Sequence, residues 1–149
     1  MRVQRADPAR ARRQADWIVS LEPWRSLGYR PAPLGRWLSR CARKGGVLVA
    51  SEGPVLLGIA VVQPDVLLGD FIALVAVRPE SAGRGVGRAL VEKIATRTFV
   101  RRRWLYVSSD AANRPAAAFY RKLGFQRVAR LPDLVSAGHT EILWRRARG

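Results

Sequence analysis

Apolar residues in the first third of the chain recur at helical spacing, and those that follow do not. Ala11, Ala15, Ile18 and Val19 fall on one side of a helix drawn over residues 8–21, with Asp7 as its cap and Pro8 as its first residue. Residues 1–6 alternate weakly and read as a first strand. Residues 22–31 carry Pro23, Gly28 and Pro31 and read as a loop. Leu34, Trp37, Leu38 and Cys41 share a face of a second helix over residues 34–43, which Gly45 and Gly46 end.

From Val47 the period changes. Residues 47–51 and 55–63 predict two strands joined by a turn at Glu52-Gly53-Pro54, with Pro64-Asp65 as the break after them. Residues 71–77 are apolar at every position, the pattern of a strand covered on both faces. A loop over 79–83 leads to a helix over 85–98, with Val86, Leu90, Ile94 and Thr98 at i+4 spacing. A strand at 104–108, a short helix at 115–123 ended by Gly124, and strands at 125–131 and 140–145 complete the chain. The order β-α-α-β-β-β-α-β-α-β-β implies an α/β fold, a mixed sheet with helices on both faces.

The 149 residues suit a single domain, and a 48% hydrophobic content excludes a disordered or fibrous chain. No apolar run reaches the ~18 residues of a membrane span, so no membrane partner is expected. The basic N-terminus lacks the apolar core of a secretory signal. The single cysteine, Cys41, excludes an internal disulfide and agrees with a reducing, cytoplasmic setting. The net charge is +16, yet only three of the 27 basic residues are lysines and the arginines are spread along the chain. Charge alone supports sequence-independent attraction to polyanions, so nucleic acid is not the expected partner.

The most informative stretch runs from Val75 to Leu90. A buried strand passes into an amphipathic helix through a turn with glycine at alternate positions: Ala82-Gly83-Arg84-Gly85-Val86-Gly87-Arg88. The first amides of a helix lack intrahelical acceptors, and the helix dipole adds positive potential there. Glycines let a bulky anion reach the main chain, so a diphosphate is a suitable ligand. Arg84 and Arg88 add positive charge. A Walker A loop would need Gly-Lys-Ser/Thr where Gly87-Arg88-Ala89 stands, and a dinucleotide fingerprint would need a third glycine at Leu90.

This stretch resembles motif A of the GNAT superfamily of N-acetyltransferases, Gln/Arg-x-x-Gly-x-Gly/Ala, with Ala82 in place of the usual Gln or Arg. Residues 104–125 resemble the family's motif B, with Asn113, Ala116, Phe119, Tyr120, Lys122, Gly124 and Phe125 in register. The resemblance implies a mixed, mostly antiparallel sheet and transfer of an acetyl group from acetyl-coenzyme A to an amine. It assigns the diphosphate to Ala82, Gly83, Arg84, Gly85, Val86, Gly87 and Arg88. It assigns the pantetheine arm to Asn113 and to the main chain of Leu74, Val75, Ala76 and Val77, with Ala116 and Phe119 alongside. Tyr120 takes the position that protonates the departing thiolate, as a phenol with a pKa near about 10 is protonated at neutral pH.

The proton acceptor is less legible. Asp70 is the carboxylate nearest the strand before motif A, and is equally readable as a solvated strand-end residue; Glu22 is second. By resemblance the loop holding Glu22, Trp24 and Tyr29 lines the acceptor site. His139 is a lone histidine, Cys41 reads as a buried thiol, and no cluster points to a metal. The acceptor is an amine of a small molecule or a protein, a homodimer stays open, and a non-catalytic module that only binds coenzyme A is the alternative.

Overall fold

The computed structural model describes all 149 residues. Seven strands form one mostly antiparallel sheet in the order β1-β2-β3-β4-β5-β7-β6. These are β1 (Arg2–Arg5), β2 (Val47–Glu52), β3 (Val55–Val66), β4 (Gly69–Val77), β5 (Trp104–Asp110), β6 (Gln126–Pro132) and β7 (Thr140–Ala147). The helices are α1 (Pro8–Arg13), α2 (Ala15–Ile18), α3 (Pro31–Arg43), α4 (Val86–Phe99) and α5 (Arg114–Lys122). Contacts group the chain into two compact units, Met1–Gln63 with Leu74–Ile94 and Pro64–Ala73 with Ala95–Gly149.

In the first unit, β1 pairs with β2 and β2 with β3, both antiparallel. The hairpin core is Val47, Val49, Ile59 and Val61, all fully buried together with Ile18, Leu38 and Leu90. Asp7 caps α1 as expected, its Oδ1 accepting from the Arg10 amide at 2.8 Å. The single helix expected over 8–21 is instead two short ones. At Gln14 the side-chain Nε2 donates to the Arg10 carbonyl, the acceptor that the Gln14 amide would need in a continuous helix; that amide turns to Ala11. The next helix begins at Pro31, because prolines are at home in a first turn.

Two expectations for the strands are corrected. Pro64 does not end β3, which runs on to Val66. Its β2 partner has already ended at Val47, opposite Val61, so the missing proline N–H forfeits no β2–β3 ladder bond. β4 is not covered on both faces either: Ile72, Leu74 and Ala76 are buried, while Phe71, Ala73, Val75 and Val77 are half-buried. Uniform apolarity here accompanies one-sided burial.

In the second unit, β4 and β5 are parallel and pair through Asp70–Leu105, Phe71–Tyr106 and Ile72–Val107. β5 pairs antiparallel with β7, and β7 with β6. Residues opposite one another share a face. Leu105, Val107, Ser109, Ile142 and Trp144 therefore lie on one side; Trp104, Tyr106, Ser108, Asp110, Glu141, Leu143 and Arg145 lie on the other. The first side carries α5. Buried Trp144 donates to Ser109 Oγ at 3.0 Å, and the Arg121 guanidinium sits 5.2 Å from its ring centroid. The second side is half-buried apart from Tyr106.

The β3–β4 turn is Leu67-Leu68, with φ of 47° and 63°. Left-handed backbone costs about 1–2 kcal/mol per non-glycine residue. Gly69, next in the chain, is forced: any Cβ there would collide with the Trp104 carbonyl.

Candidate functional site

The glycine-rich turn sits in the first unit. Pro79–Ser81 form one turn of 3-10 helix, Ala82 to Gly85 are exposed, and α4 starts at Val86. Gly83 and Gly85 both have φ of 77°, and no atom lies within 4 Å of where a Cβ would stand on either. The main chain is bent by residues that only glycine makes strain-free, and it faces open space. The Gly85 carbonyl accepts from the Ala89 amide at 3.0 Å, which leaves the first-turn amides of Val86, Gly87 and Arg88 without intrahelical acceptors. Arg84, read from the sequence as added positive charge, is ion-paired. Its guanidinium is 2.7 and 2.8 Å from the two Glu52 oxygens, and it holds the Glu52 carboxyl below the usual range. Arg88 is exposed at the same end.

In the second unit, the Asn113 side chain caps α5 by accepting from the Ala116 amide at 3.1 Å. Tyr120 is 8% exposed. Its ring meets Phe119 and Phe125 edge-on, at 5.2 and 5.6 Å between centroids. Burial pushes its phenol up to about 12. That group stays protonated at every physiological pH, as a donor must.

Asp70 is not the solvated strand-end residue that the sequence allowed. It is 2% exposed. Oδ2 accepts from the Thr98 hydroxyl at 2.7 Å and stands 3.6 Å from Arg101, while Oδ1 is buried without a partner. These bonds tie the start of β4 to the end of α4. A carboxylate so enclosed is poorly placed to collect a proton from an incoming amine.

A different group of polar side chains stands at the far end of β5, and sequence reasoning missed it. Asp110 and Glu141 are directly opposed across β5 and β7. The Ser108 hydroxyl donates to Glu141 Oε1 at 3.1 Å, and His139 Nδ1 lies 3.0 Å from Asp110 Oδ2. Burial raises the Glu141 pKa; the Ser108 bond opposes this, Asp110 adds to it and His139 opposes it. The β4–β5 pairing ends at Ile72 and Val107, one residue before Ser108.

Residues 43–127 match the Acetyltransferase (GNAT) domain family. The chain is 32% identical over 128 residues to the N-alpha-acetyltransferase RimI of Mycobacterium tuberculosis, a match spanning 83% of this chain and 75% of that protein. The chain belongs to the GNAT acetyltransferase family. Its fold matches that of a ribosomal-protein-alanine N-acetyltransferase from Brucella melitensis with a TM-score of 0.80, at 18% identity and 99% coverage of both chains. It also matches an aminoglycoside 6′-N-acetyltransferase complexed with coenzyme A, with a TM-score of 0.82, 15% identity, and coverage of 100% of this chain and 98% of the other.

This GNAT protein is therefore an acetyl-coenzyme A-dependent N-acetyltransferase that acts on an amine. The open, glycine-bent turn at Gly83 and Gly85 fits a bulky diphosphate. The loop expected to line the acceptor site presents Trp24 half-buried and Tyr29 exposed. Glu22 in that loop is engaged: the Ser26 hydroxyl and amide, with Arg25, hold its carboxyl below the usual range. Such a carboxylate is a weak proton acceptor. Cys41 is half-buried, and burial pushes its thiol up, away from nucleophilic duty.

Proposed function

We propose that this chain acetylates the α-amine at the N-terminus of a protein. The observation that carries the reading is the 32% identity to an N-alpha-acetyltransferase. The chemistry of the Glu141 group agrees with it. An α-amine has a pKa near about 7.7–8.0, so a mild acceptor of one proton is enough. Glu141, raised by partial burial, is such a group, and with Asp110 it gives a basic protein a local anionic patch that attracts a protonated amine.

In this reading the amides from Ala82 to Arg88 hold the diphosphate. The main chain of Leu74 to Val77 hydrogen-bonds the pantetheine arm as an added strand would. Asn113, Ala116 and Phe119 flank that arm. Bound acetyl-coenzyme A supplies an activated acetyl thioester. Glu141, steadied by the Ser108 hydroxyl, takes the proton that the amine sheds. The Tyr120 hydroxyl donates a hydrogen bond to the departing sulfur, which leaves as the thiolate. With a pKa about 12 against about 8.5 for a thiol, the phenol stabilises the sulfur chiefly as a hydrogen-bond donor. Asp70 is given the positioning task that its bonds describe. Trp24 and Tyr29 shape the approach of the acceptor.

The test is thiol release from acetyl-coenzyme A with matched acceptors: a peptide with a free N-terminus, the same peptide N-terminally blocked but bearing a lysine, and an aminoglycoside. The reading expects turnover with the first alone. Turnover with the blocked peptide or the aminoglycoside in preference would overturn it. Cofactor binding without turnover on any amine would favour a non-catalytic coenzyme A-binding module.

A further inference from the structure

We propose that the β3–β4 turn and the arginines beside it form a docking surface for an anionic lipid bilayer. Leu68 is 83% exposed and Leu67 64%, at the tip of a hairpin. Val100, just past α4, is 81% exposed. Arg102 is ion-paired with Asp65, two residues before Leu67, so the segment holding Val100 lies against the turn. Exposed Arg101 and Arg103 follow Val100 in the chain, and the Arg148 amide donates to the Arg103 carbonyl at 2.8 Å. Three exposed large apolar residues and the exposed Arg101, Arg103 and Arg148 therefore share one end of the second unit.

The turn is built to hold this presentation. The Tyr106 hydroxyl donates to the Leu67 carbonyl at 3.1 Å, the Asp65–Arg102 pair anchors the chain two residues earlier, and Gly69 is wedged against Trp104. Both leucines sit in left-handed backbone, where Asn-Gly is the ordinary choice. Strained, exposed leucines point to use rather than to stability.

The chemistry selects the partner. A convex apolar tip with a cationic rim suits a surface that receives apolar groups at the acyl boundary and presents phosphates above them. A second copy of this chain would meet the same rim at a net charge of +16, and repulsion opposes that. Nucleic acid rewards arginines and stacking aromatics, and leaves leucines in water. The sequence expectation of no membrane partner rested on the lack of a span; surface docking needs none.

The experiment is flotation of the full chain with phosphatidylcholine vesicles, with and without phosphatidylglycerol. Leu67→Asn/Leu68→Gly removes the apolar tip and suits the backbone, so this variant is expected to melt no lower than the natural chain and to keep its acetyl transfer in solution. The natural chain should float with the anionic vesicles only, and less in raised salt. The turn variant should bind at least about tenfold more weakly, and Arg103→Gln/Arg148→Gln about tenfold more weakly. No flotation of the natural chain, or equal flotation of the turn variant, overturns the proposal. So does leucine-dependent binding to a single-stranded oligonucleotide, which would assign the surface to nucleic acid.

Discussion

Asp110 and Glu141 face each other across β5 and β7, one beside His139 and the other held by Ser108. Two carboxylates on opposed strands repel unless a cation or a shared proton intervenes. In an otherwise basic chain, this pair is the one we propose to receive the acceptor's ammonium group and its proton.

Glu141→Gln is expected to lower kcat by about 10²-fold or more, the usual contribution of a general base. The acidic limb of the pH–rate profile should vanish with it, since a base works only above its own pKa. A carboxyl whose folded pKa is raised favours the fold below its unfolded pKa and loses that advantage as pH rises through the folded value. At neutral pH the variant should therefore melt no lower than the natural protein. Unchanged kcat with an unchanged pH profile would remove Glu141 from the chemistry.

Tyr120→Phe should lower turnover by about 10²-fold or more while leaving acetyl-coenzyme A affinity within a few-fold. It also has a signature in alkali. With a folded pKa of about 12 against about 10 unfolded, Tyr120 gives stability that is complete below pH ~10 and lost as pH rises to ~12, on the order of 2–3 kcal/mol. Denaturant titrations across that window should show a shallower loss in the phenylalanine variant.

Asp70→Asn provides the opposite pattern. The side chain is buried on Thr98 and Arg101, so replacing it should cost about 1–3 kcal/mol of stability. Turnover per folded molecule and its pH dependence should stay close to those of the natural protein. A selective loss of kcat in a stable Asp70→Asn protein would restore Asp70 as the proton acceptor.

Motifs local in sequence were legible, and relationships across strands were not. The glycine turn and the helix behind it could be read because glycine spacing and helix caps act within a few residues. Asn113, Tyr120 and Phe125 could be read because a motif places them. The break at Gln14 depends on a side chain outcompeting its own amide for Arg10, which apolar periodicity does not register. The Leu67-Leu68 turn carries no turn residue at all. The opposition of Glu141 and Asp110 emerges only with the β5–β7 register, and the enclosure of Asp70 only with its contacts to Thr98 and Arg101. A polar residue near the start of a closing strand, opposite the end of a motif strand, was the one available signal.

The most direct measurement is calorimetric titration of the folded natural chain and of Gly85→Asp with acetyl-coenzyme A. Gly85 has φ of 77° and open space where a side chain would project, so aspartate adds both strain and a negative charge at the proposed diphosphate seat. Clear binding to the natural chain, with loss of at least about a hundredfold in a Gly85→Asp protein that still folds, is the expected result, as a like charge set beside the backbone donors costs several kcal/mol. Equal affinity in the two proteins, or no binding to the natural chain, would contradict the assignment of this turn.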